Sequence, residues 1–295
     1  RLRNWAPLPI APDSLSAVLL THAHIDHSGY LPLLVRNGFR GRVYCSEGTR
    51  DLCHIMLPDA GRLQEEEADY ANRHHFSKHK PAMPLYTEKD AKRALRHLHT
   101  VNIATPVDVQ GVRVTLFPSG HILGASMVSL ELGGTRVLFS GDLGRMNDAV
   151  MAPPASVKGS DYLVVESTYG NRRHEVDDPM EKLAEVIRST AGRGGVVVIP
   201  AFAVGRTQTL LHFIQMLKDR GDVAADLPVF LNSPMAQLAT DAYIGYCTRH
   251  PAEHRLTRQQ VDDLGRTAIF VGSPDDSRRL NQRKGPMVII AGSGM

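Results

Sequence analysis

The sequence predicts an α/β protein in two halves, and three observations carry that reading. Near the N-terminus an apolar run, Ala17-Val18-Leu19-Leu20, stops at a polar loop, and a helical pattern follows. Residues 107–142 alternate apolar and polar side chains as a β meander does. After about residue 175, four apolar runs alternate with helical segments through short connections, the βαβ pattern of a parallel sheet. The chain has 295 residues, which fits about two domains at roughly 150 residues each. Its 42% hydrophobic and 22% charged residues are ordinary for a soluble globular protein with a large core. A net charge of +3 suits a polyanionic partner without requiring one.

In chain order, the strand at 17–20 leads into the loop 21–27, and Gly29–Val35 reads as a helix after Pro32. Arg42-Val43-Tyr44-Cys45 is a second short strand, and a helical pattern resumes at Thr49. Residues 61–99 read as a charged helical insertion, and its His74, His75 and His79 have no strand end to fix them as ligands. Val112, Val114 and Leu116 alternate with Arg113 and Thr115, and Val128, Leu130 and Leu132 alternate likewise. Gly133-Gly134 forms a tight hairpin turn into Val137-Leu138-Phe139. Tyr162–Val165 is one more strand. In the second half, helices over 179–191, 207–219, 235–247 and 275–282 alternate with the apolar runs, and Thr207 is read as a helix cap. The domain boundary falls within 171–179, giving domains 1–174 and 175–295.

No run of 18 apolar residues exists, so no transmembrane helix is expected. No basic-then-apolar segment opens the chain, so no signal peptide is expected. Cys45, Cys53 and Cys247 are odd in number and scattered, which reads as reduced thiols in the cytoplasm. The chain starts without Met and stops just after an apolar strand-like run, so truncation at both ends is expected.

The most informative run is Thr21-His22-Ala23-His24-Ile25-Asp26-His27. Imidazole and carboxylate are the usual nitrogen and oxygen ligands of zinc. Residues two apart in an extended segment point to one side, so His22 and His24 suit one ion. Asp26 and His27 lie past the bend and suit a second. The next strands repeat the device of an ionisable residue after small residues: Ser119-Gly120-His121, Ser140-Gly141-Asp142, and Glu166. One zinc would take His22, His24 and His121. The other would take Asp26, His27 and a ligand not yet found, with Asp142 bridging both. Two ions about 3.5–4 Å apart activate water and stabilise an attacked phosphoryl oxygen, and Asp26 would orient that water. This is metal-assisted hydrolysis, with Asp26 and Glu166 as the catalytic carboxylates.

The run in its Thr-His-Ala-His-Ile-Asp-His-Ser-Gly setting resembles the metallo-β-lactamase superfamily, as do Pro118-Ser119-Gly120-His121 and Ser140-Gly141-Asp142-Leu143-Gly144. Glu166-Ser167-Thr168-Tyr169-Gly170, Pro200–Arg206, Asn232-Ser233-Pro234-Met235-Ala236 and Ala291–Met295 resemble segments of its β-CASP branch, closest to the prokaryotic cleavage-factor-like RNases. The resemblance implies an αββα sandwich with an inserted parallel α/β β-CASP domain. It implies a zinc-dependent RNase with two ions per site, acting internally, from the 5′ end, or both. RNA would lie in the cleft between the domains. The family's first motif, an Asp, would precede Arg1, and its last zinc-ligand His and two late motifs would follow Met295. A homodimer is compatible with the resemblance.

Helix starts in the second half suit phosphate, through free N–H groups and the macrodipole. Arg206 is the first choice for an RNA phosphate contact because its guanidinium fork matches phosphate. Ser233 and Ser293 are the others. Arg172-Arg173 and Arg278-Arg279 read as solvated charge. No surface combining aromatic and basic residues stands out for base stacking, so single-stranded RNA would be bound without sequence reading. The other readings are a thioester or lactone hydrolase with the same zinc site, and a non-catalytic RNA-binding subunit.

Overall fold

The computed structural model describes residues 5–173 and 178–292. The chain divides into two compact units. One holds the chain up to Arg145 with Pro153–Glu166, the other Met146–Ala152 with the chain from Ser167 onward.

The first unit runs β1 (Ala17–Leu19), α1 (Ile25–Ser28), α2 (Leu31–Arg36), β2 (Arg42–Cys45), α3 (Glu47–Arg73), α4 (Glu88–Ala94) and β3 (Leu98–Thr100). Five strands follow: β4 (Val107–Val109), β5 (Val112–Pro118), β6 (Ser126–Leu132), β7 (Thr135–Phe139) and β8 (Tyr162–Val164). Strands β1, β2 and β3 pair in parallel as one sheet. Strands β4 to β8 form a second sheet, antiparallel until β8 joins β7 in parallel. The two sheets share a core of Val101, Val109, Val114, Leu116 and Val128, packed against Ala17, Leu19 and Tyr44. The period-2 alternation of β5 puts Val114 and Leu116 into that core and Arg113 into solvent. Gly133 and Gly134 have φ of 58° and 83° and close the β6–β7 hairpin with a two-residue turn. All three residues of β8 are exposed.

The stretch 61–99 differs from a single helical insertion. Helix α3 runs unbroken through Pro58 to Arg73, residues 74–87 form a loop, and α4 and β3 complete the stretch. Ser46 caps α3: its Oγ accepts from Thr49 N at 3.1 Å and donates to Gly124 O at 2.5 Å.

The second unit contains α5 (Pro179–Gly192), β9 (Val196–Ala201), α6 (Arg206–Asp219), β10 (Val229–Asn232), α7 (Pro234–Arg249), α8 (Arg258–Leu264), β11 (Ile269–Phe270), α9 (Pro274–Gln282) and β12 (Met287–Gly292). Its sheet has the order β11-β10-β12-β9, parallel throughout. Phe230, Val271, Leu280, Met287, Ile289 and Ala291 form one of its buried clusters. The parallel register brings the carboxyl ends of β9, β10 and β12 to one edge, where α/β sheets place ligand contacts. Met146–Ala152 belongs here because Met151 pairs with His254 and Arg255 N donates to Val150 O. The reading of Thr207 as a helix cap is corrected. Gly205, at φ 80°, takes the cap position, and Thr207 Oγ1 donates back to Phe202 O at 2.8 Å.

No helix among the described residues is long and apolar enough to cross a membrane. The three cysteines are free and buried, and burial pushes their thiol pKa values up.

Candidate metal centre

Four strand ends of the first unit carry the ionisable residues. His22 follows β1 and is fully buried. Its Nδ1 lies 3.2 Å from Thr21 Oγ1. Ala23, also fully buried, lies between His22 and His24, and the two imidazole centroids are 5.0 Å apart. Helix α1 then starts abruptly, with His27 N and Ser28 N donating to His24 O. This turn leaves the Asp26 side chain 78% exposed and swings His27 to within 4.1 Å of the His22 ring.

His121 sits in the β5–β6 loop, where Gly120 and Gly124 have φ of 69° and 71°. Its Nε2 lies 3.1 Å from His24 Nδ1. Asp142 follows β7 through Gly141. The Asp142 and His121 loops lie flush: Gly144 N donates to Ser119 O at 2.8 Å, and a Cβ on Gly144 would sit 1.9 Å from Gly120 O. The two oxygens of Asp142 face different histidines. Oδ2 is 3.7 Å from His22 Nε2 and 3.5 Å from His121 Nε2, while Oδ1 is 3.2 Å from His27 Nε2.

His22, His24, His121 and Asp142 each offer a ligand atom, and all four atoms lie within 4.8 Å of one another. His22 Nε2 is buried and has no hydrogen-bond partner. An orphaned ring nitrogen in a buried site costs roughly 1–3 kcal/mol, and a cation at the focus of these four donors removes that cost. Burial lowers the His22 pKa to about 2, helped by its neighbours His27, His24 and His121. Burial likewise lowers His24 and His121, against the opposing pull of Asp142. The three rings are therefore neutral near pH 7 with lone pairs available, as metal ligation requires. The donor set of nitrogens and one carboxylate fits a divalent cation.

Glu166 is half-buried at the end of β8. Its Oε1 accepts from Leu143 N at 2.6 Å, and its own N donates to Ser140 Oγ at 3.0 Å. It therefore grips the backbone next to Asp142. The roles of Thr21, Ser140 and Gly144 in the site were missed, although all three lie within the motif runs of the sequence.

The second-unit residues lie on different elements. Arg206 is exposed at the first position of α6. Ser233 caps α7, its Oγ accepting from Ala236 N at 3.3 Å. Ser293 lies outside the described residues.

A family model described as a β-lactamase superfamily domain matches residues 1–198, and one described as a β-CASP domain matches residues 207–295. The chain is 32% identical over 297 residues to ribonuclease TTHA0252 of Thermus thermophilus, covering 99% of this chain and 64% of the relative. It is 29% identical to cleavage and polyadenylation specificity factor 73 of Drosophila melanogaster, covering 97% of this chain and 40% of that protein. It is 30% identical to transcription termination factor FttA of Methanocaldococcus jannaschii, covering 96% of this chain and 44% of that protein. The chain thus spans less than two thirds of each of these relatives.

Proposed function

The chain belongs to the β-CASP branch of the metallo-β-lactamase superfamily, and we propose that it is part of a zinc-dependent ribonuclease hydrolysing phosphodiester bonds of single-stranded RNA. The single observation that carries this reading is the focus of four donor atoms on the orphaned Nε2 of His22. The ribonuclease name of the Thermus relative supports RNA as the substrate.

His22, His24 and His121 would hold one ion, Asp26 and His27 a second, and Asp142 would join them. The division of Asp142, Oδ2 toward His22 and His121 and Oδ1 toward His27, supports this assignment. Bound there, zinc supplies a water-derived nucleophile at neutral pH and charge neutralisation at the attacked phosphoryl oxygen. Burial keeps the His22 ring neutral and fixes its orientation through Thr21. Asp26 is exposed, and its carboxylate would accept a hydrogen bond from the attacking water. Glu166 holds the Asp142 loop through Leu143. Arg206, exposed at a helix start, would meet an RNA phosphate, with Ser233 at the cap of α7 and Ser293 as the further contacts read from the sequence. Internal cleavage and trimming from the 5′ end both fall within this reading, as do a homodimer and a cytoplasmic location.

The test is turnover of a labelled single-stranded RNA and of a thioester by the zinc-loaded chain. RNA cleavage that a chelator abolishes supports the reading. Thioester turnover with RNA left intact would overturn it.

A further inference from the structure

The end of α3 and the loop after it carry an aromatic surface that the metal centre does not use. Tyr70 is 53% exposed and Phe76 66% exposed. The Tyr70 and His74 ring centroids are 4.2 Å apart, and those of Tyr70 and Phe76 5.9 Å apart. Tyr70 and His74 are four residues apart at a helix end, which puts both on one face. His75 then adopts φ 55°, and this left-handed turn brings Phe76 back onto them. Rings of this size ordinarily gain their stability by burial, and a contiguous open group of them marks a binding surface.

The loop is built rather than slack. The Asn72 side chain closes it with two hydrogen bonds to Ala82, Nδ2 to O at 3.0 Å and Oδ1 from N at 2.7 Å. Ser77 Oγ accepts from His79 N inside the loop. Arg73, Lys78 and Lys80, in the same segment as the rings, are exposed. Residues 70–87 contain no Asp or Glu. Among the described residues none of the three cations has a carboxylate within ion-pair distance, whereas Arg62 on the same helix is paired with both Asp59 and Glu66. Exposed cations outside ion pairs, in the same segment as open aromatic rings, match a single-stranded nucleic acid, whose phosphates take the charge and whose bases take the rings. An acidic protein surface would use the cations but not the open ring faces.

We propose that Tyr70, His74 and Phe76, with Arg73, Lys78 and Lys80, form a platform for single-stranded RNA separate from the metal ligands; this rests on the ribonuclease reading above. Gly48, in the first turn of α3, abuts Gly124, three residues past His121. At 1.5 Å per residue, Tyr70 lies roughly 30 Å further along the helix. A stacked strand advances about 3.4 Å per nucleotide, so only RNA extending about nine nucleotides beyond the metal centre reaches the platform.

The test is fluorescence anisotropy with labelled RNA in chelator, which prevents cleavage, using oligonucleotides of about 20 and about five nucleotides. Tyr70→Ala/Phe76→Ala is expected to weaken the Kd of the long RNA about tenfold or more. Lys78→Ala/Lys80→Ala is expected to flatten the slope of log Kd against log salt by about 1.4. Both variants change exposed side chains, and thermal melting checks that the fold is kept. Aromatic variants that bind the long RNA as the wild type does would overturn the platform. A loss confined to the lysine variants would also overturn it, since charge alone serves any polyanion. RNA cleaved by the wild type with both variants unaltered overturns this inference alone. A wild-type chain that neither binds nor cleaves RNA overturns the ribonuclease reading with it.

Discussion

Gly144→Ala tests how the fold assembles the metal centre. The Gly144 backbone lies against Gly120, and an added Cβ would sit 1.9 Å from Gly120 O, 2.2 Å from Gly120 C and 2.8 Å from His121 N. Real Cβ atoms essentially never approach within 3.0 Å, so the two loops must part by roughly 1 Å. The atoms met are backbone and cannot rotate away. The displacement falls on the loops that carry His121 and Asp142, whose ligand atoms are 3.5 Å apart. Misplacing supporting structure around a metal site costs about 10–100-fold in affinity, so Gly144→Ala should weaken zinc binding by that factor. Titration against a chromophoric chelator measures it, and melting of the metal-free variant checks that the first unit stays folded. A folded Gly144→Ala protein that binds zinc as tightly as the wild type would refute the claim that loop apposition sets the site.

Three further outcomes are expected. Glu166→Gln keeps an oxygen able to accept from Leu143 N and should leave zinc affinity near wild type, whereas Glu166→Ala should lower it about tenfold or more; equal losses in the chelator titration would rule out the loop-holding role. Asp26→Ala alters a side chain that is 78% exposed, so melting should shift by no more than about 0.5 kcal/mol while RNA cleavage is abolished; retained cleavage would remove Asp26 from the mechanism. The metal-free protein should lose stability as pH falls below about 6.5, because burial holds the pKa of His22 near 2 and also lowers those of His24 and His121. In that window the unfolded chain binds the extra protons, at roughly 1 kcal/mol per pH unit for His22, with His24 and His121 acting in the same direction. A melting temperature unchanged between pH 7 and pH 5 would contradict it.

The cluster from His22 to Asp142 was legible because each member follows an apolar strand with small residues around it. Its precise convergence was not, because it depends on Gly144 meeting Gly120 across two loops, and nothing in either local sequence encodes that distance. The parallel sheet of the second unit was legible from the unbroken apolar runs Val196–Ile199, Val229–Leu231 and Val288–Ile290; β10 and β12 are buried on both faces, whereas β9, at the sheet edge, exposes Val196 and Val198. Helix α8 was missed because seven residues with only Val261 and Leu264 buried give too short a period to read. Strand β3, Leu98–Thr100, shows no alternation of its own and exists through its pairing with β2. The Tyr70, His74 and Phe76 group escaped notice because it depends on the positive-φ turn at His75, which no local sequence pattern announces.

The central claim is that the imidazoles and carboxylate gathered around His22 Nε2 support metal-dependent cleavage of RNA. Incubating labelled single-stranded RNA with the zinc-loaded chain, and separately with His22→Ala at matched zinc, tests this most directly. Cleavage is expected from the first, and loss of both tight zinc binding and cleavage from the second. RNA cleaved equally by both would contradict it.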